Sequence, residues 1–168
     1  PIVTGPAAQL QYPGDYFLHD LTDMPLIIIK GRDGIIRAFL NMCRHRGVRL
    51  LEKPEGNIRA NIICPYHAWA YDTQGCLKGI FHAQGFQDVN ADSHRLIELD
   101  AWVRMGLVFV VPNPDLRGKF DIDEWLKEAY AITEGFEFGE MIPYHVQSGK
   151  LACNWKLIID GALEGYHF

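Results

Sequence analysis

Apolar and polar positions alternate in short blocks through residues 1–112, and each block closes on a turn signal. Leu26-Ile27-Ile28-Ile29-Lys30 is a β-branched run that stops at Gly31-Arg32-Asp33-Gly34 and resumes as Ile35-Ile36-Arg37-Ala38-Phe39. Asp-Gly between two such runs predicts a hairpin. A further strand is expected over Asn57–Ile63, leading into Cys64-Pro65. Trp69-Ala70-Tyr71 meets the turn Asp72-Thr73-Gln74-Gly75, and Leu107-Val108-Phe109-Val110-Val111 is closed by Pro112-Asn113-Pro114. Many short strands with Gly/Pro turns predict a mainly β fold, a small antiparallel sandwich or barrel.

The period changes after Pro114. Asp121 is placed to cap a helix, with Glu124 three residues on. Ile122, Trp125, Leu126 and Ala129 then recur at i, i+3, i+4 and i+7, an amphipathic stripe that ends near Gly135. A strand is expected over Tyr144–Ala152, and Asn154–His167 reads as a second helix weakened by Gly161 and Gly165. The expected division falls between Pro112 and Gly118. It gives a first domain over 1–112 and the beginning of a second over 113–168.

Composition narrows the function classes. With 168 residues, 48% hydrophobic and 22% charged, the chain has enough material for a real core and is not of disordered type. A net charge of −5 argues against a broad nucleic-acid surface. No apolar run approaches the ~20 residues of a membrane helix. The chain opens on Pro1 without an initiator Met and stops at Phe168 without a closing turn, so it is expected to be a fragment of a longer protein.

Four cysteines are too few for a disulfide scaffold of this size, and two of them stand beside histidines. Cys43-Arg44-His45 is C-x-H and Cys64-Pro65-Tyr66-His67 is C-x-x-H, with 18 residues between His45 and Cys64. Two thiolates and two imidazoles complete a metal-ligand set. Structural zinc is one occupant to weigh, but Cys₂His₂ zinc sites usually take two Cys from one knuckle and two His from the other. Here each loop contributes one of each. An asymmetric [2Fe–2S] centre suits mixed pairs better, with both thiolates on one iron and both imidazoles on the other. Neutral imidazoles lower its negative charge and make it easier to reduce than a Cys₄ cluster.

The segments Cys43-Arg44-His45-Arg46-Gly47 and Cys64-Pro65-Tyr66-His67-Ala68-Trp69 resemble the two cluster loops of Rieske non-haem iron oxygenases. These are the alpha (large) subunits of aromatic ring hydroxylases and their relatives that oxidise quaternary amines. The resemblance implies that Cys43 and Cys64 bind one iron, and His45 and His67 the other. Asn154-Trp155-Lys156 followed by Glu164-Gly165-Tyr166-His167 is similar to the start of the family's α+β catalytic domain. By that match His167 is the first ligand of a mononuclear Fe(II), whose second His and carboxylate would follow Phe168. Glu164 and His167, at i and i+3, would share one helix face, and Glu164 would bridge the two metal sites between subunits. The family further implies a cytoplasmic oxygenase that uses O₂ and a small organic substrate. Its electrons come from an NAD(P)H-dependent reductase, with or without a ferredoxin. The assembly is a homo-oligomer, often a trimer, sometimes with a beta subunit. No nucleic acid and no membrane enter the picture. A Rieske ferredoxin-type carrier without catalytic iron is the alternative, against which residues 113–168 argue.

The departures are local. Asp160-Gly161 stands where many members carry Glu-Asn, and the two loops lie a residue or so further apart than is typical. High-potential respiratory Rieske loops resemble C-T-H-x-G-C and C-P-C-H-G-S. Here Val48 and Tyr66 replace the disulfide cysteines and Trp69 replaces the serine. Cys76 and Cys153 lack a His or Cys partner and are expected to be buried small hydrophobes. His19, His82, His94 and His145 show no ligand spacing. Trp69 and Tyr71 are expected to pack the sheet, and Arg44 and Arg46 to be solvated charges or part of a docking face for an acidic donor.

Overall fold

The computed structural model describes residues 1–20, 24–141, 144 and 149–167. Its strands are β1 (Ile2–Pro6), β2 (Asp15–His19), β3 (Leu26–Lys30), β4 (Ile36–Leu40), β5 (Glu55–Asn57), β6 (Ile62–Ile63), β7 (Ala70–Tyr71), β8 (Leu77–Gly79), β9 (Glu98–Leu99), β10 (Ala101–Arg104) and β11 (Leu107–Val110). All pair antiparallel, in a five-stranded sheet ordered β5-β2-β3-β4-β9 and two three-stranded sheets, β1-β11-β10 and β6-β7-β8. The fold is mainly β, as the alternation of short apolar blocks and turns predicts.

The run of four apolar residues on β3 has a simple cause: both faces of this strand are covered. Leu26, Ile27, Ile28 and Ile29 are all fully buried. Leu26 and Ile28 pack with Phe17, Ala38, Val108 and Val110, the layer shared with the β1-β11-β10 sheet. Ile27 and Ile29 point the other way and pack with Phe39, Ile62, Trp69 and Tyr71, the layer shared with the β6-β7-β8 sheet. A period of two thus sorts neighbours into two cores. The small third sheet, which carries the second Cys/His loop, is thereby clamped onto the five-stranded one.

The β3–β4 hairpin turns where Asp33-Gly34 predicts, with Gly34 at φ +80°. The Arg37 guanidinium donates to both Asp33 carboxylate oxygens, at 2.9 and 2.7 Å. That contact holds the Asp33 carboxyl at about 2, below its ordinary 3.8. A carboxyl held low in the folded state stabilises above its unfolded pKa and loses that contribution as pH falls through the folded one. Both side chains are partly exposed, so Asp33→Asn should cost only about 0.5–1 kcal/mol near neutral pH. Unfolding titrations should show the difference from the parent shrinking as pH falls below 3.8 and vanishing only below about 2.

Four expectations are corrected. The strand over Asn57–Ile63 is two strands, because β5 pairs with β2 while β6 pairs with β7 in a different sheet. The helix α1 (Ile122–Thr133) is capped as expected, the Asp123 and Glu124 N–H groups donating to Asp121 Oδ1 at 3.0 and 3.1 Å. Its buried stripe, however, is only Ile122 and Leu126, packed on Phe109, whereas Trp125 is half exposed and Ala129 exposed. The second helix is shorter than Asn154–His167: α2 spans Trp155–Leu163, capped by Asn154 Oδ1, which accepts from the Lys156 N–H at 3.0 Å. Residues 145–148, in the middle of the strand expected over Tyr144–Ala152, lie outside the described residues. Tyr144 and residues 149–152, which are described, are not in a strand. Among the described residues no helix is long and apolar enough to cross a membrane.

Candidate metal centre

Both Cys/His segments fold into the same tight hairpin. In the first, the Cys43 N–H donates to the Val48 carbonyl at 2.8 Å and the Gly47 N–H returns to the Cys43 carbonyl at 2.9 Å. In the second, the Cys64 N–H donates to the Trp69 carbonyl at 2.8 Å and the Ala68 N–H to the Cys64 carbonyl at 3.0 Å. Each needs left-handed backbone at its fifth residue, which Gly47 supplies at φ +69° and Ala68 adopts at φ +55°. For a residue with a Cβ this conformation costs about 1–2 kcal/mol, so the second loop holds strain beside its histidine.

The hairpin tips meet. His45 Nδ1 and His67 Nδ1 lie 3.1 Å apart, with the ring planes inclined at 60°. Behind them, Cys43 and Cys64 are buried and unpaired by any disulfide. Burial pushes the Cys43 thiol up, and the nearby Cys64 adds to the effect. His45 is pushed down, first by desolvation and then by His67 and Arg46. These directions favour the protonated thiol at Cys43 and the neutral imidazole at His45, the form whose ring nitrogen keeps a lone pair for a metal.

The two imidazoles sit in different walls. His45 stacks on Trp69 with centroids 5.0 Å apart and planes within 5°, and Phe86 closes the box edge-on at 5.5 Å. His67 leans on the exposed Tyr66 at 3.7 Å. On the thiol side, the fully buried Tyr71 hydroxyl lies 3.4 Å from Cys43 Sγ and accepts the Arg44 N–H at 3.1 Å. A sulfur bound to a metal carries no proton, so toward a metal-loaded Cys43 the Tyr71 hydroxyl would be the donor. Burial pushes the Tyr71 phenol well up, so it stays a donor at neutral pH.

This donor set fits a two-iron centre. Its donors meet in like pairs, imidazole against imidazole at 3.1 Å and the Cys43 thiol beside Cys64. Pairwise division is what a Rieske cluster asks of its protein ligands. Two buried donors in these loops, Arg44 Nε and Trp69 Nε1, have no partner among the described residues, which suits an occupant with sulfide acceptors.

The remaining candidates are not among the paired donors, although His82 lines the same cavity as His45, Cys64 and His67 and the His94 ring meets Trp69 edge-on at 5.8 Å. Cys76 is half-buried, with the Arg95 guanidinium donating to its sulfur at 2.8 Å, and Cys153 is exposed, so the expectation that both are buried is corrected. His19 is buried away from both loops, His82 is exposed, and His94 Nδ1 hydrogen-bonds the Asn90 carbonyl at 2.9 Å. His145 lies outside the described residues. Glu164 is the residue that ends α2, at φ −82° and ψ 106°, and a separate 3-10 turn spans Gly165–His167. The premise that Glu164 and His167 share one helix face is therefore corrected; the side chain of His167 is not among those described. Tyr71 and Phe86 are the wall residues that sequence reasoning left without a role at the site.

Residues 1–90 match the family described as the Rieske [2Fe-2S] domain. The chlorobenzene dioxygenase subunit alpha of Cupriavidus sp. (strain PS12) is 34% identical over 176 residues, covering 99% of this chain and 37% of that protein. The carnitine monooxygenase oxygenase subunit of Escherichia coli (strain K12) is 28% identical, over 96% of this chain and 42% of that protein. Among solved structures, a quaternary ammonium Rieske monooxygenase in complex with L-carnitine superposes with a TM-score of 0.82. That match has 26% identity and covers 99% of this chain and 47% of the other. The chain thus spans less than half the length of each of these relatives. Its match over residues 1–90 and the paired donors in its two loops have one conclusion: the chain belongs to the Rieske [2Fe-2S] domain family.

Proposed function

We propose that Cys43 and Cys64 hold one iron of a Rieske [2Fe–2S] cluster, that His45 and His67 hold the other, and that the chain is part of the oxygenase component of a Rieske non-haem iron oxygenase. The observation that carries this reading is the meeting of two like hairpins, each delivering one thiol and one imidazole, with the imidazole nitrogens 3.1 Å apart. When bound, such a cluster supplies one-electron storage between a nicotinamide-linked donor and an oxygen-activating iron. The chain's own part is to exclude water from the thiol side, keep the His45 ring fixed between Trp69 and Phe86, and leave the His67 edge open to a partner.

The oxygenase reading, against a bare electron carrier, is supported by the relatives, whose similarity runs over 95% or more of this chain and so past the Rieske match at residue 90. They are named for chlorobenzene, benzene and carnitine, which frames the substrate as an aromatic ring or a quaternary amine. We place the domain division near Pro112, the reductase or ferredoxin and O₂ as partners, and the cytoplasm as the compartment. One related crystal structure is described in terms of inter-subunit electron transfer. That supports a homo-oligomer in which Glu164 bridges sites of neighbouring subunits and His167 is the first ligand of a mononuclear iron.

One pair of measurements tests this. The 168-residue chain, supplied with reductase, NAD(P)H and O₂, should take up electrons and form no hydroxylated product, because one imidazole cannot hold an open facial iron site. In the longer parent, Glu164→Gln should leave iron content unchanged while slowing stopped-flow electron transfer between the metal sites. Product from the short chain, or undiminished transfer in the variant, would refute the respective role.

A further inference from the structure

The two ligand hairpins are alike at their tips and unlike at their necks. The second sits between β6 and β7, which pair directly, Ile62 opposite Tyr71 and Ile63 opposite Ala70. The first leaves β4 and enters β5, and these strands are not neighbours: β2 and β3 lie between them in the sheet. No strand pairing closes the first neck.

One buried side chain does. Asn41 is 1% exposed, on the residue that follows β4. Its Oδ1 accepts from the Leu50 and Leu51 N–H groups at 3.0 and 2.9 Å, and its Nδ2 donates to the Leu51 carbonyl at 2.7 Å. These bonds reproduce, from a side chain, what a paired strand would offer: two acceptor contacts and one donor across the neck. The Asn41 main-chain N–H donates to the Pro25 carbonyl at 2.8 Å, which ties the closure to the residue before β3. From outside, Arg49 Nε donates to the same Leu51 carbonyl at 2.9 Å, and the guanidinium pairs with Asp20. Everything between, including Cys43 and His45, hangs from this knot.

A buried, satisfied asparagine is often only a core residue. Here both ends of the amide are used, and on the one segment whose closure the sheet omits. We propose that Asn41 is a positioning residue for the metal centre: its carboxamide stands in for the missing strand pair and holds Cys43 and His45 against Cys64 and His67. This rests on the cluster reading above. It also explains the choice of residue. Aspartate keeps the acceptors but loses the donor to Leu51, and leucine keeps the bulk but leaves the Leu50 and Leu51 N–H groups unpaired and the Leu51 carbonyl held by Arg49 alone.

Asn41→Leu and Asn41→Asp, made in the purified, cluster-loaded protein, test it, with Asn57→Leu as a control that removes side-chain bonds at the sheet edge. The readouts are cluster loss to an iron chelator, the visible circular dichroism of the cluster, and amide exchange at Leu50 and Leu51. Asn41→Leu should lose its cluster about tenfold faster or more, with an altered dichroism and faster exchange at both amides. Asn41→Asp should lie between it and the parent, and Asn57→Leu should match the parent. Parental chelator resistance and dichroism in Asn41→Leu would overturn the proposal. If that variant does not fold, the same parental values in Asn41→Asp would overturn it. A parent with no cluster signal at all would refute the reading of the metal centre instead, while exchange at Leu50 and Leu51 would still decide whether Asn41 closes the neck.

Discussion

Alanine at His45 or at His67 should abolish the EPR signal of the reduced cluster. On the proposed assignment each imidazole is one of two protein donors to its iron, and the two rings meet across 3.1 Å. The neighbouring Arg44 and Arg46 carry no free lone pair, and His82, which lines the same cavity, is not among the paired donors. The loss should be complete in either variant rather than graded, because an iron with a missing ligand admits solvent to a cluster whose thiol side is otherwise dry. Cys43→Ala and Cys64→Ala should behave alike, since each removes a buried thiol. By contrast Cys76→Ala, Cys153→Ala and His94→Ala should keep the full signal, because none of these lies among the paired donors. An unchanged spectrum in both histidine variants would sink the ligand assignment.

The midpoint potential should sit toward the low end of the Rieske range, nearer about −150 mV than +300 mV. Loss of hydrogen-bond donors to the sulfurs leaves the extra electron on the reduced cluster less stabilised. Trp69 stands where high-potential loops carry a serine, so that hydroxyl is lost, and the Trp69 indole N–H and Arg44 Nε, buried without a partner among the described residues, are the donors left in the ligand loops. The structure adds a donor that sequence reasoning missed, the Tyr71 hydroxyl at 3.4 Å from Cys43 Sγ. Tyr71→Phe keeps the buried ring and removes that proton. If the bond is worth about 0.5–1.5 kcal/mol more to the reduced state, the potential should fall by about 20–60 mV for one electron. Protein-film voltammetry reads both values. A parent midpoint above about +150 mV, or a rise in Tyr71→Phe, would contradict this account of the tuning.

Much of the site was legible because its chemistry is local in sequence. C-x-H and C-x-x-H place a thiol and an imidazole on one hairpin whatever surrounds them. The strand pattern was legible where burial is one- or two-sided and continuous, as in β3, whose apolar run is explained by a layer on each face. What stayed hidden is set by contacts distant along the chain. Nothing in Asn57–Ile63 shows that the segment leaves one sheet for another. The neck closure by Asn41 depends on β4 and β5 being separated by two strands, a fact of topology and not of spacing. Tyr71 looked like packing because its hydroxyl meets Cys43 across 28 residues. The helix reading of Glu164 failed for a local reason, since the backbone leaves helical geometry at that residue.

The most direct test of the central claim is metal and sulfide analysis of the purified protein, joined to its EPR spectrum before and after reduction. The account predicts iron and acid-labile sulfide in equal amounts, silence in the oxidised state, and a Rieske-type signal after uptake of one electron. Zinc in place of iron, without sulfide and without any signal on reduction, would contradict it.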